Sequence, residues 1–118
     1  MKINVLIKDT EGDNFEVFTS VEGLYTDEAR GRLEASWFPL GQRLVKEHTE
    51  ATKSLIKTLK DNIDKSIVPA VQGFFAERVE DYEKSLKSLE SFIFVREYIE
   101  YYAKCEGYHW EIHELNEE

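Results

Sequence analysis

The chain opens with two stretches in which apolar and polar residues alternate. Lys2 to Lys8 places Ile3, Val5 and Ile7 on one side, and Phe15 to Val21 does the same with Phe15, Val17 and Val21. A period of two is that of a half-buried strand, so both stretches are predicted to be strands. Thr10-Glu11-Gly12-Asp13-Asn14 lies between them, with Gly12 and Asn14 suited to positive φ, and the pair reads as an antiparallel hairpin. Near the other end Tyr108 to Leu115 alternates again. Its Tyr108, Trp110 and Ile112 side is predicted to be buried as this strand joins the hairpin in a three-stranded sheet.

Between these strands the period becomes helical. Thr26 has the side chain of an N-cap, and Asp27 and Glu28 favour the positive end of a helix, so a first helix is predicted to run to about Trp37, where Pro39 stops it. From Leu40 the positions Leu44, His48, Ala51, Leu55, Leu59, Ile63 and Ile67 recur every three or four residues and predict a second, amphipathic helix. Pro69 ends or kinks it, because proline lacks the amide hydrogen and biases Val68 away from helical geometry. A second stripe comes next with Val71, Phe75, Val79, Tyr82, Leu86, Leu89 and Ile93, close to a heptad seam. One helix over residues 70–106 would be about 55 Å long, more than a domain of this size spans, so it is expected to project, to bend or to be covered by a second subunit.

The predicted fold class is α+β, with a three-stranded antiparallel sheet (N-terminal hairpin plus C-terminal strand) packed with a short helix and a long antiparallel helical hairpin. The 118 residues suit one domain, divided into hairpin and short helix (1–39), helical hairpin (40–106) and last strand with tail (107–118). Hydrophobic and aromatic shares of 42% and 13% are enough for a core, and disorder is expected only at the extreme C-terminus.

Charge narrows the partners. Fifteen Lys and Arg against 24 Asp and Glu leave a net charge of −9, which repels a phosphate backbone and argues against direct binding of nucleic acid. Residues 40–69 are the only net basic segment and are expected to pair with the acidic residues 70–106. A single cysteine, Cys105, forms no internal disulfide, and no charged-then-apolar leader opens the chain, so a cytoplasmic location is expected, the host cytoplasm if the chain is phage-encoded. No apolar run approaches the ~20 residues of a membrane span.

The usual catalytic constellations are missing: there is no Gly-rich phosphate loop, nucleophile elbow or zinc-finger spacing, so no enzyme activity and no cofactor is expected. His109, Glu111 and His113 share one face of the last strand, which suits a metal with further ligands but reads better as a solvated edge. His48 reads as a core or interface histidine. Asp9, Glu11 and Asp13 lack the order of a calcium loop, Glu80, Asp81, Glu97 and Glu100 read as solvated, and Cys105 reads as a buried thiol.

The aromatic residues stand out. Phe92, Phe94, Tyr98, Tyr101 and Tyr102 leave the end of the third helical segment few polar faces, and Tyr108 and Trp110 come immediately after. Either this stretch is wedged between sheet and helix, or part of it lines a pocket or subunit interface. Arg96 projects from the same segment, while Arg30, Arg32 and Arg43 flank Trp37 and Phe38; aromatic faces suit a nucleobase and guanidinium groups a phosphate. The candidate ligand-binding residues are therefore Tyr98, Tyr101, Tyr102, Trp110, Arg96, Arg30, Arg43 and Trp37, with no catalytic or metal residues assigned. The surplus of apolar surface on the third helical segment predicts a homo-oligomer, a dimer in the simplest case.

Residues 2–7 (Lys-Ile-Asn-Val-Leu-Ile), the segment 21–29 (Val-Glu-Gly-Leu-Tyr-Thr-Asp-Glu-Ala) and residues 110–117 (Trp-Glu-Ile-His-Glu-Leu-Asn-Glu) resemble small phage and bacterial proteins of strand, strand, helix, strand layout. The resemblance covers the two ends of the chain, and the long helical hairpin departs from it. Those proteins are mostly of unknown function. The resemblance, together with the small size, the cytoplasmic chemistry, the missing catalytic constellations and the aromatic surplus, points to a non-catalytic binding protein of phage type that blunts a host antiviral defence by stoichiometric sequestration, leaning to capture of a nucleotide-derived signal. Two alternatives stand beside it: an acidic inhibitor docking on a host defence or nucleic-acid-binding protein, and an assembly protein dimerising through the helical hairpin. The expected partners are a small nucleotide-like ligand or a host protein.

Overall fold

The computed structural model describes residues 1–115. The extreme C-terminus, where disorder is expected, and the last two residues of the resembling segment lie outside the described residues. The elements are β1 (Lys2–Glu11), β2 (Val17–Tyr25), α1 (Asp27–Lys65), α2 (Pro69–Glu90), α3 (Val95–Glu106) and β3 (Tyr108–Glu114), with one 3-10 turn at Asp13–Phe15. The three strands form one antiparallel sheet in the order β2-β1-β3. The α+β class, the three-stranded sheet and the helical hairpin are as predicted. Among the described residues no helix is long and apolar enough to cross a membrane.

The chain forms two compact units, one of residues 1–42 with those from 94 onward, the other of residues 43–93. In the first, β1 is the central strand, and Asn4, Val5, Leu6 and Ile7 are all buried. Leu6 stands opposite Gly23 on β2 and Trp110 on β3, and with Trp37 and Ile99 it forms the core. Tyr25, Leu33, Phe38, Leu40, Tyr102, Ala103 and Tyr108 pack around them. The other face of the sheet carries Ile3, Val5 and Ile7, which stand opposite Leu24 and Val21 on β2 and the histidines of β3.

Several positions differ from the sequence reading. Phe15 is not in a strand: Asn14 and Phe15 take the two positive φ values of the turn (63° and 62°), Gly12 stays at −96°, and Phe15 is 96% exposed. Val17 and Val21 are exposed because β2 is an edge strand with a register shift opposite Leu6 and Ile7. Tyr108 and Trp110 are half-buried, but Ile112 is 61% exposed. It stands opposite Asn4, whose side chain turns to polar partners on α1, so no apolar surface meets it there.

The first helix does not stop at Pro39, and the short helix of the fold is α3 instead. Thr26 Oγ1 does accept the Ala29 N–H (3.2 Å) as an N-cap, but α1 then runs through Pro39 to Lys65. Pro39 is exposed, so the carbonyl of Ala35 that loses its donor is on the solvent side, while Trp37, Phe38 and Leu40 hold the turn against the core. Packing overrides the local preference. Pro39→Ala restores that donor, and we expect a gain of about 1–2 kcal/mol, less than the ~3 kcal/mol cost of an interior proline because proline also stiffens the unfolded chain. A raised melting temperature checks this, and an unchanged one contradicts it.

The long segment 70–106 is not one helix either. α2 ends at Glu90, and α3 restarts at Val95, where the Phe94 N–H donates to Glu97 Oε1 (2.9 Å). In the second unit α2 pairs with residues 43–65 of α1. Lys53 meets Glu90 and Lys60 meets Glu83 (3.7 and 3.1 Å), seven residues apart on both helices and in opposite directions, the register of an antiparallel heptad pairing. The seam on α2 is the predicted one at Phe75, Val79, Tyr82, Leu86 and Leu89. On α1 it runs through Val45, Thr52, Ile56, Leu59 and Ile63, one residue away from the expected Leu44, Ala51 and Leu55. Steps of four alone drift around a helix, whereas alternating fours and threes stay on one face. Ile67 and Ile93 lie outside the seam because α1 ends at Lys65 and α2 at Glu90, Val71 in the first turn of α2 is exposed, and Gln72 donates to the carbonyl of Ser66 (2.6 Å) just past the end of α1.

Candidate functional site

α3 ends at Gly107, whose φ of 77° turns the chain directly into β3, and the Asp9 N–H donates to its carbonyl (2.8 Å). A side chain there would also run into the Asp9 carbonyl. On the opposite side of α3, Gly41 of α1 faces the backbone of Tyr98, and a Cβ at Gly41 would lie 2.7 Å from the Tyr98 carbonyl carbon. These two glycines let α3 sit close against both α1 and β3. Between the three elements is a cleft of about 320 Å³, lined by Glu34, Trp37, Arg96, Ile99, Glu100, Ala103, Lys104, Tyr108 and Trp110.

One wall is aromatic. Trp37 is stacked with Tyr108 (centroids 5.4 Å apart, planes 4° apart) and with Trp110 (6.1 Å, 29°), and Tyr102 touches Trp37 from α3 (5.7 Å). Tyr25 meets Trp110 edge-on at 5.5 Å, and the Arg30 guanidinium lies over the Trp110 ring at 4.7 Å. Faces already engaged this way leave the ring edges for the cleft. The indole Nε1 of Trp110 is buried and has no hydrogen-bond partner among the described residues. An unsatisfied buried donor costs about 1–3 kcal/mol, so it stands out in an otherwise satisfied wall.

The other wall is a relay of polar groups reaching back to β1. Asn4 is 1% exposed; its Nδ2 donates to Asp27 Oδ1 (2.8 Å) and to the Tyr25 carbonyl (3.2 Å), and its Oδ1 accepts from Arg30 Nη1 (2.9 Å). Arg30 Nε donates to Glu34 Oε1 (3.2 Å), the other oxygen of Glu34 takes Arg96 Nη2 (2.7 Å), and Arg96 Nε meets Glu100 Oε1 (3.3 Å). Glu34 is 8% exposed, and a carboxylate that deep is held by two arginines. Its hydrogen bond, helped by the charges of Glu34 and Glu100 and opposed by burial, holds the Arg96 guanidinium above its already high ordinary value.

Of the sequence candidates, Trp37, Trp110 and Arg96 come together in this cleft, with Arg30 directly behind Trp110. Tyr102 belongs to the core beneath it, and Tyr98 packs edge-on against Phe38 (5.7 Å) on the far side of α3. Tyr101 is half-buried beside Cys105, and Arg43 belongs to the second unit. The sequence reading missed Glu34, Ile99 and Lys104 as lining, and Asn4 as the anchor of the relay. Asn4 carries no signal of that role, because the alternation of Ile3, Val5 and Ile7 puts it on the other side of the strand, and Glu34 is one of many acids in an acidic chain. Cys105 is exposed, against expectation, because it lies past the last inward turn of α3. On the open face of β3, His109 pairs with Asp9 (3.3 Å) and His113 with Glu111 (3.2 Å).

Burial raises the Tyr101 and Tyr102 hydroxyls above the usual tyrosine value, with help from Cys105 for the first and from Glu106 and Tyr108 for the second. A raised value means that the unfolded chain ionises first. The stability these groups contribute is complete below about pH 10 and falls as pH rises from there through their folded values. Tyrosinate absorbance of the wild type against Tyr101→Phe and Tyr102→Phe should show these two groups ionising at higher pH in the folded than in the unfolded protein. Difference titrations that coincide for the folded and unfolded chains would contradict this.

No protein family, curated protein or solved structure matches the chain.

Proposed function

We propose that the protein is a non-catalytic binder that takes a small planar ligand into the cleft between α1, α3 and β3 and holds it unchanged. The observation that carries this is the lining of that cleft, which joins the stacked rings of Trp37, Tyr108 and Trp110 to the guanidinium of Arg96, an apolar platform beside a cation. The volume is at the small end of ligand pockets, and the stacked rings give a rigid apolar wall whose edges meet the ligand. Both carboxylates of the lining are engaged with arginine, which suits holding rather than proton transfer. A nucleobase has the flat shape for such a wall. Together with the resemblance of the ends to small phage proteins, this supports stoichiometric removal of a nucleotide-derived defence signal as the role.

Isothermal titration with the four 5′-ribonucleoside monophosphates and with cyclic dinucleotides tests this reading, together with chromatography of the released ligand. Saturable one-to-one binding with the ligand recovered intact is expected. Trp110→Phe shortens the aromatic wall, so it should weaken binding by about fivefold to tenfold, worth ~1 kcal/mol, measured per folded molecule because the ring also packs on Trp37 and Tyr25. Absence of binding across the panel at 1 mM ligand (on the order of −4 kcal/mol) or recovery of cleaved ligand would contradict it.

A further inference from the structure

The two arginines on Glu34 are not equivalent. Arg30 is fixed three ways, by Asn4 Oδ1 at 2.9 Å, by Glu34 Oε1 at 3.2 Å and by the face of Trp110 at 4.7 Å, and its side chain is 23% exposed. Arg96 is held only by carboxylates, Glu34 at 2.7 Å and the solvent-facing Glu100 at 3.3 Å, and its side chain is 52% exposed on the lining of the cleft. A buried carboxylate left without a counter-ion is strongly destabilising, so a lone arginine on Glu34 would be locked in place. Because Arg30 stays, Arg96 can leave without stranding Glu34. Its second contact, with Glu100, is of the exposed i,i+4 kind that contributes little.

We propose that Arg96 is the phosphate-binding group of the cleft, an arginine parked on Glu34 and Glu100 that transfers to the phosphate of a planar, phosphorylated ligand while Arg30 remains as the permanent counter-ion of Glu34. This rests on the ligand-binding reading of the cleft and names the ligand class as a nucleoside phosphate rather than a free nucleoside. The exchange replaces one charge-assisted contact by another, and the guanidinium fork matches two phosphate oxygens at once, which an ammonium does not. No bond forms or breaks in the ligand.

Titrations of adenosine and of adenosine 5′-monophosphate into the wild-type protein, Arg96→Gln, Arg96→Lys and Lys104→Gln separate the possibilities. The wild type should prefer the monophosphate by about tenfold or more, and Arg96→Gln should bring the two affinities to within about twofold of each other. Arg96→Lys should retain only part of the preference, and Lys104→Gln most of it. Circular dichroism melts of each variant report folding, which substitution of a half-exposed arginine should leave intact. Equal affinities in the wild type, or a preference that survives Arg96→Gln and disappears in Lys104→Gln, would overturn the role of Arg96 while the ligand-binding reading stands. If neither compound binds the wild type, that reading fails for adenine ligands and the inference fails with it.

Discussion

Trp37→Ala is expected to cost about 3–5 kcal/mol of stability, the largest loss from any single truncation in the protein. Trp37 is buried at the centre of the first unit, in van der Waals contact with the core around Leu6 and Ile99 and in ring contact with Tyr102, Tyr108 and Trp110. Its removal leaves a cavity that the neighbours cannot close, because Tyr108 and Trp110 are fixed by the β1 ladder and Tyr102 by α3. Trp37→Phe should lose less than half as much, since a ring still fills the stack. Leu55→Ala on the exposed side of the helical hairpin should stay within about 0.5 kcal/mol. Urea unfolding of the three variants checks the order, and equal losses for Trp37→Ala and Leu55→Ala would show that the stack is not the centre of the core.

Gly41→Ala is expected to cost about 2–3 kcal/mol, in reverse of the usual benefit of alanine over glycine within a helix. The reason is the approach of α3: the added methyl meets the carbonyl of Tyr98, a backbone group that cannot swing away as a side chain would. Relief requires α3 to shift outward, which opens the cleft by moving Arg96 from Glu34 and Ala103 from Trp37. The same variant should therefore lose ligand affinity, by at least about tenfold. Gly31→Ala is the internal control, because nothing lies within 4 Å of a Cβ there and α1 should gain from it. Stabilisation by both substitutions would contradict the close packing of α1 and α3.

The parts of the fold that were legible in the sequence are those decided by local constraints. The strands were legible, because Ile3, Val5 and Ile7 alternate, and so was the start of α1, because Thr26 caps it. The path of α1 through Pro39 was not: proline is a local stop signal, and only the packing of Trp37, Phe38 and Leu40 on distant residues keeps the helix going. The seam on α2 was legible because its Phe, Val, Tyr and Leu are all large. That on α1 includes Thr52 beside apolar residues on several faces, so the stripe was placed one residue away. In the site, Trp37, Trp110 and Arg96 stand out by their chemistry and do meet, but chemistry alone does not separate them from Tyr98 and Tyr101 on α3. That separation depends on which face of α3 turns toward β3, and Gly41 and Gly107 decide it.

The hydrogen bonds from Asn4 through Arg30 to Glu34 tie the cleft to the central strand of the sheet, so this part of its wall is set before any ligand arrives. The central claim is that the Trp110 ring forms a wall of the ligand cleft, and the indole region of a nitrogen–proton correlation spectrum reads its surroundings directly. The chain has two tryptophans and hence two indole signals, and Trp110→Phe assigns them. During titration with adenosine 5′-monophosphate the Trp110 signal should move, saturably and with one-to-one stoichiometry, as the ligand settles against its ring. A Trp110 signal that stays in place while the ligand saturates the protein would contradict the account.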